Sequence, residues 1–521
     1  MDTLLPGRCR MFRRTAENAT PRKPEERSDS SGRDVLIGIL CVLPLWTVLT
    51  LSALRYEMDD ALIYFRYARN FVLHGELTYH LGHRWNGLTS PLFTCVSLFF
   101  ALVTRKVIPA VNLFCGASLL AAAGGLQYVI ARATGRRLAG FLAIGLVTAS
   151  PFFYCCFGLE THLVLLLIIL AVAAFMKERH TLLAWILGLL LATRIDSGLF
   201  LLAAVLWELT RRHGLKGLKS RLNLAVPVLA PLVLASVLKN LYYDNSSLHT
   251  LTAKLGQGLS GYWGPWPRAF LDVRRHGGLF WGGYPWLFLP VAALAVTGAL
   301  EMRGRLAHRL ILGYLLLHGG VFALLNAPYY HWYYAPFYYF GLGYAAAGLS
   351  GILARCRSLR EPARRQLALG LSGVLAALIL VSSAVLAYRT VSRLGPAVEY
   401  RSTASFIEGH CPPEAIVAAA EIGAIGWYCP DRTMVDILGL VTEGNAEALA
   451  RRDVRSWLTR NQPDCIVIHD PPWAFEQVAV EAESLGLYED FPGYAVEGLR
   501  LLRRVERDSG SIPPEGPGAS S

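Results

Sequence analysis

Residues 57–90 read EMDDALIYFRYARNFVLHGELTYHLGHRWNGLTS. The stretch opens on two adjacent acids, Asp59 and Asp60, directly after the apolar run 34–54. That run is long enough to cross a bilayer, which takes about 20 apolar residues. The residues after the acids have helical periodicity. Ala61, Leu62, Phe65, Ala68 and Val72 fall on one face, while Asp59, Arg66 and Asn70 share another. Such a helix suits the membrane interface. Asp59 can be read simply as the cap of that helix. Two acids at the level of a lipid head group, beside Arg66 and Arg69, also suit a reaction centre.

Composition on either side agrees with a membrane setting. Hydrophobic residues make up 54% of the 521 and charged residues only 17%, against about 25% charged in a soluble domain. The net charge of +12 does not point to nucleic acid, because the basic residues sit in short loops between apolar runs, as the positive-inside rule expects. Residues 1–33 read as a disordered basic cytoplasmic tail, and 34–54 as a retained first span rather than a signal peptide. Further spans are expected at 107–131, 138–157, 159–176, 222–239, 279–300, 309–326, 333–353 and 367–388. Basic clusters separate them at 132–137, 177–179, 211–221, 303–309 and 355–365. The run 91–104 is too short to cross comfortably and reads as re-entrant or interfacial. The run 181–208 is too long for one helix and reads as two, turning at Thr193-Arg194-Ile195-Asp196. The sum is about eleven crossings, with the N-terminus cytoplasmic and the chain after 389 outside the membrane, on the periplasmic or extracellular side of a bacterial inner membrane.

Residues 395–505 change character. Short apolar runs at 415–420, 433–437 and 465–468 alternate with helical stretches such as 445–460, the pattern of a small α/β domain. Residues 506–521 read as a disordered tail. The ten cysteines show no metal-ligand spacing. A disulfide among Cys411, Cys429 and Cys465 cannot be paired from sequence.

Under this topology five features share the outer face. They are the acid pair, Glu160 at the start of an apolar helix, the Arg194/Asp196 pair, Lys254 in the loop 244–258, and His331 within Pro328–Tyr334. Each has a plain reading: Glu160 as a favourable acid at a helix N-terminus, Arg194/Asp196 as a mutual pair, Lys254 in a solvated loop, His331 in an aromatic interfacial belt. Together they offer a carboxylate base for an acceptor hydroxyl and cations for a leaving phosphate. That chemistry is glycosyl transfer from a polyprenyl-phosphate sugar. No Walker motif and no dinucleotide fingerprint is present.

Asp59-Asp60-Ala61, Phe65–Asn70 and Asn86-Gly87-Leu88-Thr89-Ser90-Pro91-Leu92 resemble the first outer loop of GT-C glycosyltransferases, above all the bacterial terminal arabinofuranosyltransferases. Gly158–Thr161, Thr193–Asp196, Thr252–Leu255 and Val435–Leu440 are similar to further pieces of that pattern. The resemblance implies an all-α polytopic GT-C-like membrane module over 34–390 with a small extracytoplasmic α/β domain. It implies an inverting transfer to a glycan, lipid or protein acceptor, with Asp59 as general base and Asp60 beside it. Arg66, Glu160, Arg194, Asp196, Lys254 and His331 are the expected substrate contacts. Departures at Ile195 and at Asp244–Ser247 bear on donor identity rather than fold. A divalent metal is left open, since some GT-C enzymes use one. A flippase of polyprenyl-linked sugars and a non-enzymatic envelope-assembly protein are the competing readings. Neither polar residues along a path to the inner face nor an inverted repeat favours the flippase.

Overall fold

The computed structural model describes residues 29–210, 222–244, 249–272 and 285–505. The basic residues of 1–28, the cluster 211–221, loop residues 245–248, the start of the 279–300 span and the tail 506–521 lie outside the described residues.

The first half is mainly helical: α1 (Asp29–Ser52), α2 (Asp59–His74), α3 (Pro91–Thr104), α4 (Val107–Thr134), α5 (Arg137–Thr148), α6 (Thr161–Met176), α7 (His180–Thr193) and α8 (Gly198–Leu209). Then come α9 (Ala225–Tyr242), α10 (His249–Ser260), α11 (Pro285–Met302), α12 (Leu306–Leu324), α13 (Ala335–Arg357) and α14 (Pro362–Val391). Among the described residues six helical stretches are long and apolar enough to cross a membrane, and five shorter apolar helices accompany them. The outer surface is built for lipid. On α14, Leu367, Leu371, Val374, Leu378, Val381 and Val385 recur every three or four residues and are all exposed, a continuous apolar face that water would not tolerate. The chain is a multi-pass membrane protein.

The expected break in 181–208 is present. α7 ends at Thr193, a single turn covers Ile195–Ser197, and α8 begins at Gly198. The span expected at 138–157 is shorter than it reads. α5 stops at Thr148 and a separate turn runs Pro151–Tyr154, because Pro151 has no N–H to continue the helix. At about 1.5 Å per residue, α5 to α8 reach only roughly 18–24 Å. Short helices of this kind are tolerated where other protein covers their ends. The start of α6, the end of α7 and the start of α8 meet at one cavity.

Residues after α14 form the second unit, with α15 (Val398–His410), α16 (Ile422–Tyr428), α17 (Asn445–Arg451), α18 (Val454–Asn461) and α19 (Gln477–Ser484) around a five-stranded sheet. β1 (Ile416–Ala419), β2 (Thr433–Asp436) and β3 (Cys465–His469) are parallel and match the expected apolar runs. β4 (Tyr488–Asp490) and β5 (Leu499–Arg504) add an antiparallel edge in the order β2-β1-β3-β5-β4. The helix expected at 445–460 is two helices, broken where Arg452 adopts φ 56°. The sulfurs of Cys411 and Cys465 lie 3.3 Å apart, while Cys429 points to the Ala404 carbonyl.

Candidate active site

A cavity of about 380 Å³ opens where the short helices end beneath the sheet domain. Asp60, Glu160, Arg194, Asp196 and Lys254 line it, with Tyr64, Thr89, Thr250, Trp332 and Tyr333. Leu251, Leu255, Val321, Phe322 and Leu325 complete an apolar side.

Arg194 is its charged floor. It donates from Nε to Asp196 Oδ1 (2.9 Å), from one terminal nitrogen to Asp196 Oδ2 (3.1 Å) and from the other to Glu160 Oε1 (2.8 Å). Glu160 is 4% exposed at its side chain and Arg194 18%. The 193–196 turn carries Arg194 to the end of α7, and Glu160 stands at the N-terminus of α6, so both come from helices that stop at cavity level. A guanidinium has five N–H groups. Three are held by carboxylates, which fix the plane and leave donors for a ligand. Lys254, from α10, stands 4.3 Å from the Tyr330 ring centroid. Tyr330 stacks on Trp332 at 4.7 Å, and Trp332 lines the cavity, an aromatic surface of the kind sugars pack against.

α2 separates the two adjacent acids by the 100° turn between successive helical residues. Asp60, Ile63 and Tyr64 face the cavity. Asp59 faces the sheet domain, where its Oδ1 accepts from the Ala424 N–H (2.6 Å) in the first turn of α16. Arg66 lies on that same face and is the largest fully buried side chain. It donates to the carbonyls of Tyr79 (2.9 Å), Gly426 and Pro430 (3.1 Å). Arg69 donates to the Trp427 carbonyl (2.9 Å). An acid thus meets the N-terminus of α16 and two arginines meet its C-terminus, as the helix dipole favours. The two helices touch because α16 presents Gly423 and Gly426: a Cβ on the first would strike the Asp59 backbone carbonyl, and on the second the Tyr79 hydroxyl. Arg66, expected as a substrate contact, is not among the residues that line the cavity; its hydrogen bonds run to Tyr79 in the loop after α2 and to Gly426 and Pro430 of the sheet domain.

His331, also expected as a substrate contact, lies beside the cavity lining and not in it. Its Nε2 pairs with the Cys155 carbonyl at 3.1 Å, and its neighbours Trp332 and Tyr333 line the cavity in its place.

The sheet domain brings further acids: Glu421, outside the sequence pattern, and Asp436, within its Val435–Leu440 piece. Glu421, just before α16, is raised from 4.5 to about 8 by burial and then by the facing Asp60 and Glu476 carboxylates, with Lys254 opposing. Burial, then Glu421 and Asp60, hold the Asp59 carboxyl well above the usual range, against the Ala424 N–H. Asp436 is fully buried and is pushed up to about 6 by burial, against the N–H groups of Val441, Leu438 and Leu440. Those bonds fold the 438–441 turn, which sets Leu440 into the cavity wall. An acid closing the apolar run 416–420 and followed by Gly423 and Gly426 was the available signal for Glu421. Among the described residues no three His, Cys, Asp or Glu side chains are grouped as metal ligands would be.

No curated protein sequence matches the chain. Residues 390–505 match a family described as a domain of unknown function, DUF8728. Solved structures are similar over most of its length. ArnT from Cupriavidus metallidurans in the apo state aligns with a TM-score of 0.56 and 15% identity, over 91% of this chain and 98% of that one. ArnT from the same organism bound to undecaprenyl phosphate aligns at 0.56 and 16%, over 93% and 100%. The apo oligosaccharyltransferase of Archaeoglobus fulgidus aligns at 0.56 and 12%, over 86% and 70%. The chain has the fold of the GT-C glycosyltransferases.

Proposed function

We propose that this protein is a membrane glycosyltransferase that takes a sugar from a polyprenyl-phosphate carrier and passes it to a hydroxyl on a glycan, lipid or protein at the outer face of a bacterial inner membrane. The observation that carries the reading is the cavity itself. One wall holds a carboxylate, Asp60. The floor holds Arg194, fixed between Glu160 and Asp196, and Lys254 stands nearby. An apolar side formed by Leu251, Leu255, Val321 and Phe322 suits an isoprenoid chain. The ArnT neighbour that binds undecaprenyl phosphate adds support at the level of fold. The outward orientation rests on the basic loops.

In the proposed mechanism the acceptor hydroxyl gives its proton to Asp60 as its oxygen attacks the anomeric carbon. The bond from that carbon to the phosphate oxygen breaks on the opposite side, inverting the centre. Arg194 and Lys254 stabilise the charge that collects on the phosphate. Glu160 and Asp196 hold Arg194 in place for it. Asp59, the base expected from the resemblance, takes a positioning role here, since its carboxylate is committed to α16. No step is routed through a metal.

The test is transfer by purified protein in proteoliposomes supplied with polyprenyl-phosphate sugars. Asp60→Asn should lower turnover by on the order of 10²–10⁴-fold, the usual worth of a general base, with the fold intact. Asp59→Asn should retain measurable transfer. Full activity in Asp60→Asn would overturn the assignment.

A further inference from the structure

A second cavity, of about 440 Å³, lies at the far end of the helix bundle. Arg136, Glu301, Arg305 and Arg355 line it, with the hydroxyl residues Thr134 and Ser358. Its position follows from α13. That helix begins at Ala335, two residues after Tyr333 of the first cavity, and ends at Arg357 beside the second. Its 23 residues span roughly 34 Å, close to the hydrocarbon thickness of about 30 Å. The second cavity therefore sits at the opposite head-group level.

The cavity is assembled from three of the basic clusters that punctuate the sequence, brought together by two helices in backbone contact. α11 and α13 cross at Gly298 and Gly348, where a Cβ on either would meet the other's backbone. One turn further, Gly351 leaves space that the Glu301 carboxylate fills. Glu301 bridges Arg136 and, at 2.7 Å, Arg355. Arg136 also donates to the Ala347 carbonyl at 3.1 Å. Its Nε is buried with no hydrogen-bond partner, a state that buried polar atoms rarely keep. Three guanidinium groups against one carboxylate leave the lining with two positive charges, at the depth where lipid phosphates lie.

We propose that this cavity binds the phosphate of an anionic phospholipid head group in the leaflet opposite the active site. Guanidinium groups recognise phosphate through paired N–H donors, and basic pockets between helices at this level suit anionic head groups. A ligand phosphate would take up guanidinium donors of Arg136, Arg305 and Arg355 that Glu301 does not engage. Thr134 and Ser358 flank it. Glu301 holds the arginines apart and in register. The proposal does not depend on the glycosyl transfer.

The experiment is lipid binding to the purified full-length protein in neutral detergent, read by native mass spectrometry and by thermal shift. Phosphatidylglycerol, phosphatidylcholine and inorganic phosphate are the probes. Phosphatidylglycerol should bind and stabilise, phosphatidylcholine should not, and millimolar phosphate should compete weakly. The Arg305→Gln/Arg355→Gln variant should weaken phosphatidylglycerol binding by about 25-fold, about fivefold per arginine. Arg136→Gln is a second variant should that one fail to fold. Unchanged binding in a folded variant overturns the site. Phosphate binding as well as phosphatidylglycerol, and displacing it, overturns the lipid as its source.

Discussion

At the domain-side end of α13 one arginine is held between two carboxylates; at the far end one carboxylate is held between two arginines. Arg194 between Glu160 and Asp196 leaves the floor of the first cavity negative by one, with Asp60 and Lys254 completing the lining. Glu301 between Arg136 and Arg355 leaves the second positive by one, and Arg305 adds to it. The two networks differ in burial as well as sign. The Glu160 side chain is 4% exposed and Arg194 18%, whereas Arg136 is 29% and Arg355 65% exposed. A deeply held arginine is a fixed donor. It suits a charge that develops at one place in a reaction. A half-solvated arginine pair is adjustable, and suits a ligand that comes and goes.

Breaking the two networks should give very different results. Arg194→Gln leaves Glu160 and Asp196 facing each other without a cation. Removing one partner of a buried ion network costs about 3–5 kcal/mol, and transfer should fall to background because the phosphate loses its fixed donor. Glu301→Gln leaves arginines that water reaches, so the loss should be only about 1 kcal/mol, with transfer retained. Thermal unfolding in detergent beside a transfer assay reads both. Equal losses in the two variants would show that the contrast in burial does not matter.

Much of this arrangement is legible from the chain itself. Charge in loops and the lengths of apolar runs are local properties. They locate the helices, the 193–196 turn and five of the cavity-lining residues, because a charged group at a span end must face something polar. What is not legible depends on partners distant in sequence. Periodicity places Asp59 with Arg66 and Asn70, yet nothing in residues 57–90 shows that this face is covered by α16, some 360 positions later. The partners that Arg66 and His331 find are backbone carbonyls, at Gly426 and Cys155, which leave no mark on a sequence. The inner cavity is hidden for a related reason. Arg136, Arg305 and Arg355 each read as ordinary positive-inside residues, and only the Gly298/Gly348 crossing brings them together.

A pH-dependent effect concerns Glu421, whose carboxyl faces Asp60 and Lys254 where the sheet domain meets the first cavity. Its folded-state value of about 8 stands above an ordinary 4.5, so the folded chain keeps a proton that the unfolded chain releases. Below about pH 4.5 both states hold that proton and Glu421 adds no pH dependence. As pH rises from 4.5 to 8 the unfolded state ionises first, and stability falls; above 8 both are ionised and the fall ends. Glu421→Gln removes the titration. Its melting temperature should match the parent at pH 5, exceed it by a few degrees at pH 8, and show a shallower slope between. The far cavity offers a control, because Glu301→Gln should leave that slope unchanged. A parent protein whose slope survives Glu421→Gln would place the titrating group elsewhere among the acids of this junction, with Asp436, raised to about 6, the next to substitute.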